Sequence, residues 1–337
     1  MAGKYVKLMK DVDMNESNFM IVTFAGTFDG NGHTVSGLKL ESGSYEVPTG
    51  LFCDLEASGI IKNLSVRGTV NAEWCSAGIV GRSAGIIDNC KNYVTVVSKW
   101  DVGGVVAVMN AGSITNCENY ASVSGKTNVA GIVGWAKDNV TVSNGKNYGN
   151  IFVEDSAGAG VVGCVANNVS VSYCENHGEI TGKEGLAGIV GGRGNICNSN
   201  VTIEHCVNAG AVTGNGNMAG GIAAVFTWNC KNITIDSCTN KAAVKSNDWN
   251  AGGIVGQMHA ASTIDNVVIS NCVNEASVHA QNGDVGGIVG CLYGYAAADS
   301  CTNKGSVTAG AGNANGICPF DENEPSTTNC QDLSAAQ

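Results

Sequence analysis

Proline is almost missing from this sequence, three residues in 337, and charged side chains make up only 14%. With apolar residues at 44%, that shortage excludes a disordered chain, because there is enough hydrophobic surface to build a core. Long apolar runs are missing too. Nothing approaches the 18 residues that a membrane-crossing helix needs, and the opening "MAGKYVKLMKDVDMNES" lacks the apolar stretch of a secretion signal. Neither sign of charge forms a long block. Acidic residues outnumber basic ones, 29 to 18, for a net charge of −11. Nucleic acid is therefore excluded as a partner, since phosphate recognition needs clustered Lys and Arg.

Metal and protease signatures are absent as well. No C-x-x-C pair occurs among the 15 cysteines, and His33, His177, His205, His259 and His279 are never spaced as H-E-x-x-H. No zinc site and no cofactor is expected from these spacings.

What is present is glycine, 47 residues of it, and repetition. A G-I-V-G-like phrase opens at Gly50, Gly78, Gly104, Gly131, Gly160, Gly188, Gly221, Gly253, Gly287 and Gly316, with spacings of 26 to 34 residues. A second phrase, I-x-x-C-x-N-x-(small)-x-V, follows each one. Its cysteines are Cys90, Cys117, Cys174, Cys206, Cys238, Cys272 and Cys301, with Leu64 and Gly145 in that place in two copies. Its asparagines are Asn92, Asn119, Asn147, Asn176, Asn208, Asn240, Asn274 and Asn303; the first copy has Val66 instead.

Cys, Asn, the small residue and Val lie at offsets 0, +2, +4 and +6, so all face one side of an extended strand. The Ile at −3 has the opposite parity, so the chain must bend between Ile and Cys. Helical repeats of this length would show a 3.6-residue period and good helix formers; Gly, Val, Asn and Thr dominate here. The expected fold is all-β, a right-handed parallel β-helix of about ten coils, about 50 Å long at a spacing of ~4.8 Å per coil. Residues 1–49 are read as a capping segment with the first coil, 50–316 as the repeat coils, and 317–337 as a degenerate terminal coil or tail. The inward asparagines are expected to form a structural ladder, each amide bonding the next coil's.

The G-I-V-G phrase with its C-x-N strand resembles the GLUG-motif repeats of bacterial surface proteins, and "GTFDGNGHTVSGLKL" (Gly26–Leu40) is similar to the first coil of many bacterial β-helices. The resemblance extends from about Gly26 to Cys330. It implies a bacterial, extracellular or cell-surface setting and an adhesin-like role, with any signal and anchor outside this chain.

In-register cysteines on parallel coils hold their Cβ atoms about 4.8 Å apart, wider than the ~3.8 Å a disulfide prefers, so the column reads as packed free thiols. Cys164, Cys197, Cys230 and Cys291 form a second set, for which intra-coil bridges stay open. For catalysis, the corner positions two residues before the column hold Asp88, Thr115, Ser143, Ser172, Glu204, Asp236, Ser270, Asp299 and Thr328. Glu204 and Asp236 fall on adjacent coils, as a paired-carboxylate site would need or as a solvated corner would allow. Arg82 and Arg193 do not join them. For binding, Tyr93, Tyr120, Tyr148 and then His177 point outward at +3, and Trp74 and Trp100 share a place in consecutive coils, with Trp135 and Trp249 further along. Tyr93, Tyr120 and Tyr148, with Trp74 and Trp100, are the expected glycan-contact residues; an outward ladder that keeps the coils in register is the alternative. A glycan or a host surface protein is the expected partner. A polysaccharide lyase or glycoside hydrolase on the same scaffold is the alternative to a non-catalytic module or rigid spacer.

Overall fold

The computed structural model describes residues 3–193, 199–226, 230–319 and 326–334. It is an all-β parallel solenoid of about ten turns, in which the strands pair in parallel with their equivalents in neighbouring coils, the end strands on one side only. One coil illustrates the rest. Val106–Met109 leads to Gly112–Thr115, Glu118–Asn119 and Val123–Ala130. The next coil repeats this with Val133–Ser143, Lys146–Asn147 and Ile151–Ala159, each segment parallel to its counterpart.

The interior is a set of side-chain columns. Ile87, Ile114, Val142, Val171, Ile203, Ile235, Ile269 and Ala298 stack in register, all buried. Opposite them run Val96, Val123, Ile151, Ile180, Val212, Val244 and Val278. β-branched residues suit this packing, since their stiff side chains pack well on a pleated surface.

The bend inferred between Ile and Cys is a single residue in the left-handed region, directly before the column position. Asn63, Asn89, Asn116, Asn144, Tyr173, His205, Ser237, Asn271, Ser300 and Asn329 occupy it, with φ between 50° and 55°. Asparagine enters that region with little penalty, which explains its frequency there. Strand parity is thereby reset, and both the Ile and the Cys point inward.

The solenoid extends beyond the clear repeats. Tyr5–Lys7 pairs with Thr27–Asp29, and Val12–Ser17 with Thr34–Ser42. At the other end Ser326–Thr328 and Gln331–Asp332 continue the stack as short exposed strands.

The fourteen described cysteines form no disulfide with one another, and twelve of them are buried. Cys164, Cys230 and Cys291 form no intra-coil bridge; Cys197 lies outside the described residues. Column thiols donate to the carbonyl two residues back, as in Cys117 to Thr115 and Cys206 to Glu204, both 3.3 Å.

Candidate functional site: the side wall of the solenoid

Inward, the asparagine ladder is complete. Each side-chain Nδ2 donates to the Oδ1 of the next coil, from Asn92 through Asn119, Asn147, Asn176, Asn208, Asn240 and Asn274 to Asn303, at 2.8–2.9 Å. Asn303 then donates to Asp332 Oδ1 at 3.0 Å. The amides also bond locally: Asn147 Nδ2 reaches the Gly149 carbonyl at 2.8 Å, and Asn92 Oδ1 accepts from the Val94 N–H at 3.1 Å. All eight asparagines are fully buried. They are structural.

The glycine that opens each G-I-V-G phrase lies against this ladder, a contact that strand arithmetic does not reveal. A Cβ on Gly78, Gly104, Gly131, Gly160, Gly188, Gly221, Gly253 or Gly287 would collide with the side-chain amide of the asparagine in its own coil. At Gly316 the collision would be with Asp332. The two phrases of the repeat are thus two halves of one contact.

The corner acids have a structural partner too. Asn63, Asn116, Asn271 and Asn329, each at the left-handed corner, donate Nδ2 to the acid of the preceding coil: Asp29 (3.0 Å), Asp88 (3.0 Å), Asp236 (2.8 Å) and Asp299 (3.0 Å). Glu204 and Asp236 are register neighbours, as the spacing required. Asp236, however, also accepts from Ser270 Oγ at 2.6 Å and Ser237 Oγ at 2.7 Å. Burial pushes its pKa up, but the bonds from Ser270, Ser237 and Asn271 outweigh that, and the net shift is downward. A carboxylate held ionised by three donors is a coil-to-coil clamp and a poor proton donor. Arg82 is bonded to Asp54 at 2.6 Å, within an open polar groove shared with Glu56, Ser83 and Asn110, and takes no part in the Glu204–Asp236 corner.

The outward column at +3 is a stack. Tyr93 and Tyr120 have ring centroids 4.8 Å apart and nearly parallel planes; Tyr120 and Tyr148, then Tyr148 and His177, follow at 5.0 Å. The Arg67 guanidinium covers the outer face of Tyr93 at 4.1 Å. Beside this stack runs an alternating row at +1. Lys91 pairs with Glu118 at 2.9 Å and Lys146 with Glu175 at 2.8 Å. Tyr120 donates its hydroxyl to Glu118 at 2.7 Å, and His177 Nε2 meets Glu175 at 2.8 Å. The bond to Glu118 raises the Tyr120 hydroxyl far above the ordinary phenol range. Hydrogen bonds from Lys146 and His177 lower Glu175.

Within the column the flat faces lie against one another, so Tyr120 and Tyr148 present ring edges and hydroxyl ends to solvent. Trp74 and Trp100 do share a register position, but on the strands Trp74–Ala77 and Trp100–Gly103, apart from Lys91–Val97 that carries Tyr93. Trp74 packs half-buried with Trp135 on Cys75, Ala77, Ala107 and Val108, and Lys126 Nζ sits 5.2 Å over the Trp100 ring. Among the described residues no ring contact joins tyrosines to tryptophans; they are two separate sets. A second short stack, Tyr173 on His205 at 4.9 Å, lies at the left-handed corner and has no counterpart in the sequence reading.

Part of the chain, 84 residues or 25% of its length, is 31% identical to Halomucin of Haloquadratum walsbyi. The matched stretch spans 1% of that protein. No family model matches the chain, and no solved structure does. Among the described residues, no helix is long and apolar enough to cross a membrane.

Proposed function

We propose that the chain is a non-catalytic repeat module of an extracellular or cell-surface protein, of the GLUG-motif, adhesin-like kind, with a rigid rod that binds glycan along its side wall. The observation that carries this reading is the registered outward column Tyr93–Tyr120–Tyr148–His177 with its Lys–Glu row. It is a continuous, preordered strip of aromatic edges, hydroxyls and charges, the mixed surface that polar, flat ligands require. The similarity to a small part of a far longer protein, Halomucin, supports a module that serves within a larger whole. Rigidity follows from the ladder, and a rigid face binds without losing ordering entropy.

A polysaccharide-processing enzyme is the competing reading, favoured only by the Glu204–Asp236 register pairing. Titration of the intact protein against mucin, host and plant glycans, scoring both bound sugar and released product, separates the two. Saturable binding without product, weakened in Tyr120→Ala, is the expected result. New reducing ends or unsaturated products, lost in Asp236→Asn, would replace this reading with the enzyme.

A further inference from the structure

The +3 column continues past its aromatic part. Equivalent backbone bonds to the preceding coil's ladder asparagine place His177, Ala209, Lys241, Glu275 and Lys304 in one line (His177 N to Asn147 O, Ala209 N to Asn176 O, Lys241 N to Asn208 O, Glu275 N to Asn240 O, Lys304 N to Asn274 O, 2.7–2.8 Å). Every member from Arg67 to Lys304 has a long or aromatic side chain except Ala209. His177 is stacked on Tyr148 on one side; on the other its next neighbour is a single methyl. Among the described residues no ring stacks on that second face of His177, whose side chain is 36% exposed.

Two coil steps separate His177 from Lys241, about 10 Å, and each ring in the stack occupies one step of about 5 Å. The gap over Ala209 is one ring thick. Its floor is made of Val207, Ala209 and Ala211, the outward positions of that coil, which are small and apolar. The His177 plane is fixed by the Nε2 contact to Glu175 at 2.8 Å, and Glu175 is itself held by Lys146 at 2.8 Å. The far wall is cationic. Lys241 and Lys245 lie one coil on, and among the described residues neither makes an ion pair, whereas Lys91, Lys146, Lys183 and Lys304 do. Glu275, the next acid along the column, is engaged by Lys304 at 3.3 Å.

We propose that the gap over Ala209 is a subsite for an acidic pyranose, a hexuronate unit, which stacks its apolar face on the His177 imidazole and directs its carboxylate to Lys241. The sugar takes the place of the missing ring in the column. This rests on the glycan-binding reading above and assigns it a location and a charge preference. Stacking supplies the ring-face contact, and the ammonium supplies a charge-assisted hydrogen bond.

The test is titration of the intact protein with methyl β-glucuronide and with methyl β-glucoside, followed by the backbone amide signals of His177 and Ala209. Glucuronide is expected to shift both signals saturably and to bind about tenfold more tightly than glucoside. Lys241→Ala should abolish that preference. Ala209→Tyr, an exposed position where a tyrosine extends the stack, should keep or raise the melting temperature and eliminate binding. Unchanged glucuronide binding in Ala209→Tyr, or equal affinity for the two sugars, would overturn the subsite. Glycan binding that perturbs only signals elsewhere would overturn it and leave the glycan-binding module standing. Failure of every glycan in the wider panel would remove both.

Discussion

Gly104 faces the side chain of Asn119 so closely that a Cβ on the glycine would lie 2.6 Å from the asparagine Oδ1. The G-I-V-G phrase is small at its first position because the ladder and, still closer, the Gly131 carbonyl of the next coil pass beside it. Gly104→Ala is expected to destabilise the protein by about 1–3 kcal/mol, the usual cost of overpacking a close-packed interior. Gly145 is the control. A Cβ there would meet Cys174 Sγ at 3.5 Å and Ile132 at 3.6 Å, ordinary contact distances. Gly145→Ala should be neutral or stabilising by about 0.4–1 kcal/mol, through the unfolded chain. Denaturant unfolding of the two variants reads the contrast; equal losses would refute it.

Breaking the ladder in its middle should cost more. Asn147→Leu removes the acceptor of Asn119 Nδ2 and the donor to Asn176 Oδ1, leaving two buried polar atoms without those partners. Each such loss costs about 1–3 kcal/mol. The expected outcome is a fall in the unfolding midpoint well beyond that of Asn303→Leu, whose last partner, Asp332, lies on an exposed strand. A midpoint shift of the same size at both positions would show that the amides do not act as a connected column.

The ladder was readable in the sequence because a period of two places Cys, Asn and Val on one side of a strand, and eight copies repeat it. Its partner glycine was not readable. Parity describes one strand at a time, and Gly104 and Asn119 belong to different segments that meet only when the coil closes. The corner at −1 had a signal that went unread, asparagine at 63, 89, 116, 144, 271 and 329, blurred because Tyr173, His205 and Ser237 adopt the same φ. The acids Asp88, Asp236 and Asp299 looked available for chemistry for the same reason: their partner asparagines are a full coil away. The outward tyrosines were placed correctly, and their mutual coverage follows from the coil spacing being close to the thickness of a ring.

Acid should loosen the N-terminal coils. Asp29 accepts from Asn63 Nδ2 (3.0 Å), Tyr5 Oη (2.7 Å) and the Asn31 N–H (2.9 Å). The Asn63 bond leads in lowering its pKa from 3.8 to about 2. A depressed folded-state pKa means that the stabilisation is fully present above the unfolded value and lost as the pH falls through the folded one. Stability should decline between about pH 4 and pH 2, and Asp29→Asn should flatten that decline. Amide exchange in Thr27–Asp29 across this range checks it; an identical acid profile in the variant would count against it.

Thiol reactivity should follow burial. Desolvation pushes Cys53 up to about 11 and Cys164 up to about 12, and the buried column lies out of reach of reagents. Cys318 and Cys330, the two partly exposed members of the described set, should be alkylated first under native conditions. The column should react only on unfolding, because the thiolate is the attacking species. Mass mapping after brief labelling gives the order directly; early modification of Cys174 or Cys206 would contradict it.

The terminal step of the ladder, Asn303 onto Asp332, bears on the rod as a vector. Every side-chain amide in the column donates toward the C-terminal end, so their dipoles align head to tail instead of cancelling. The C-terminal end of the column thus carries donor character, which Asp332 accepts, and the N-terminal end acceptor character. The negative carboxylate of Asp332 lies at the donor end, as an acid lies at the start of a helix. The amide column is electrically polar along the axis, and a further coil that joined this end in register would set its amide oxygen against the Asp332 carboxylate, acceptor against acceptor.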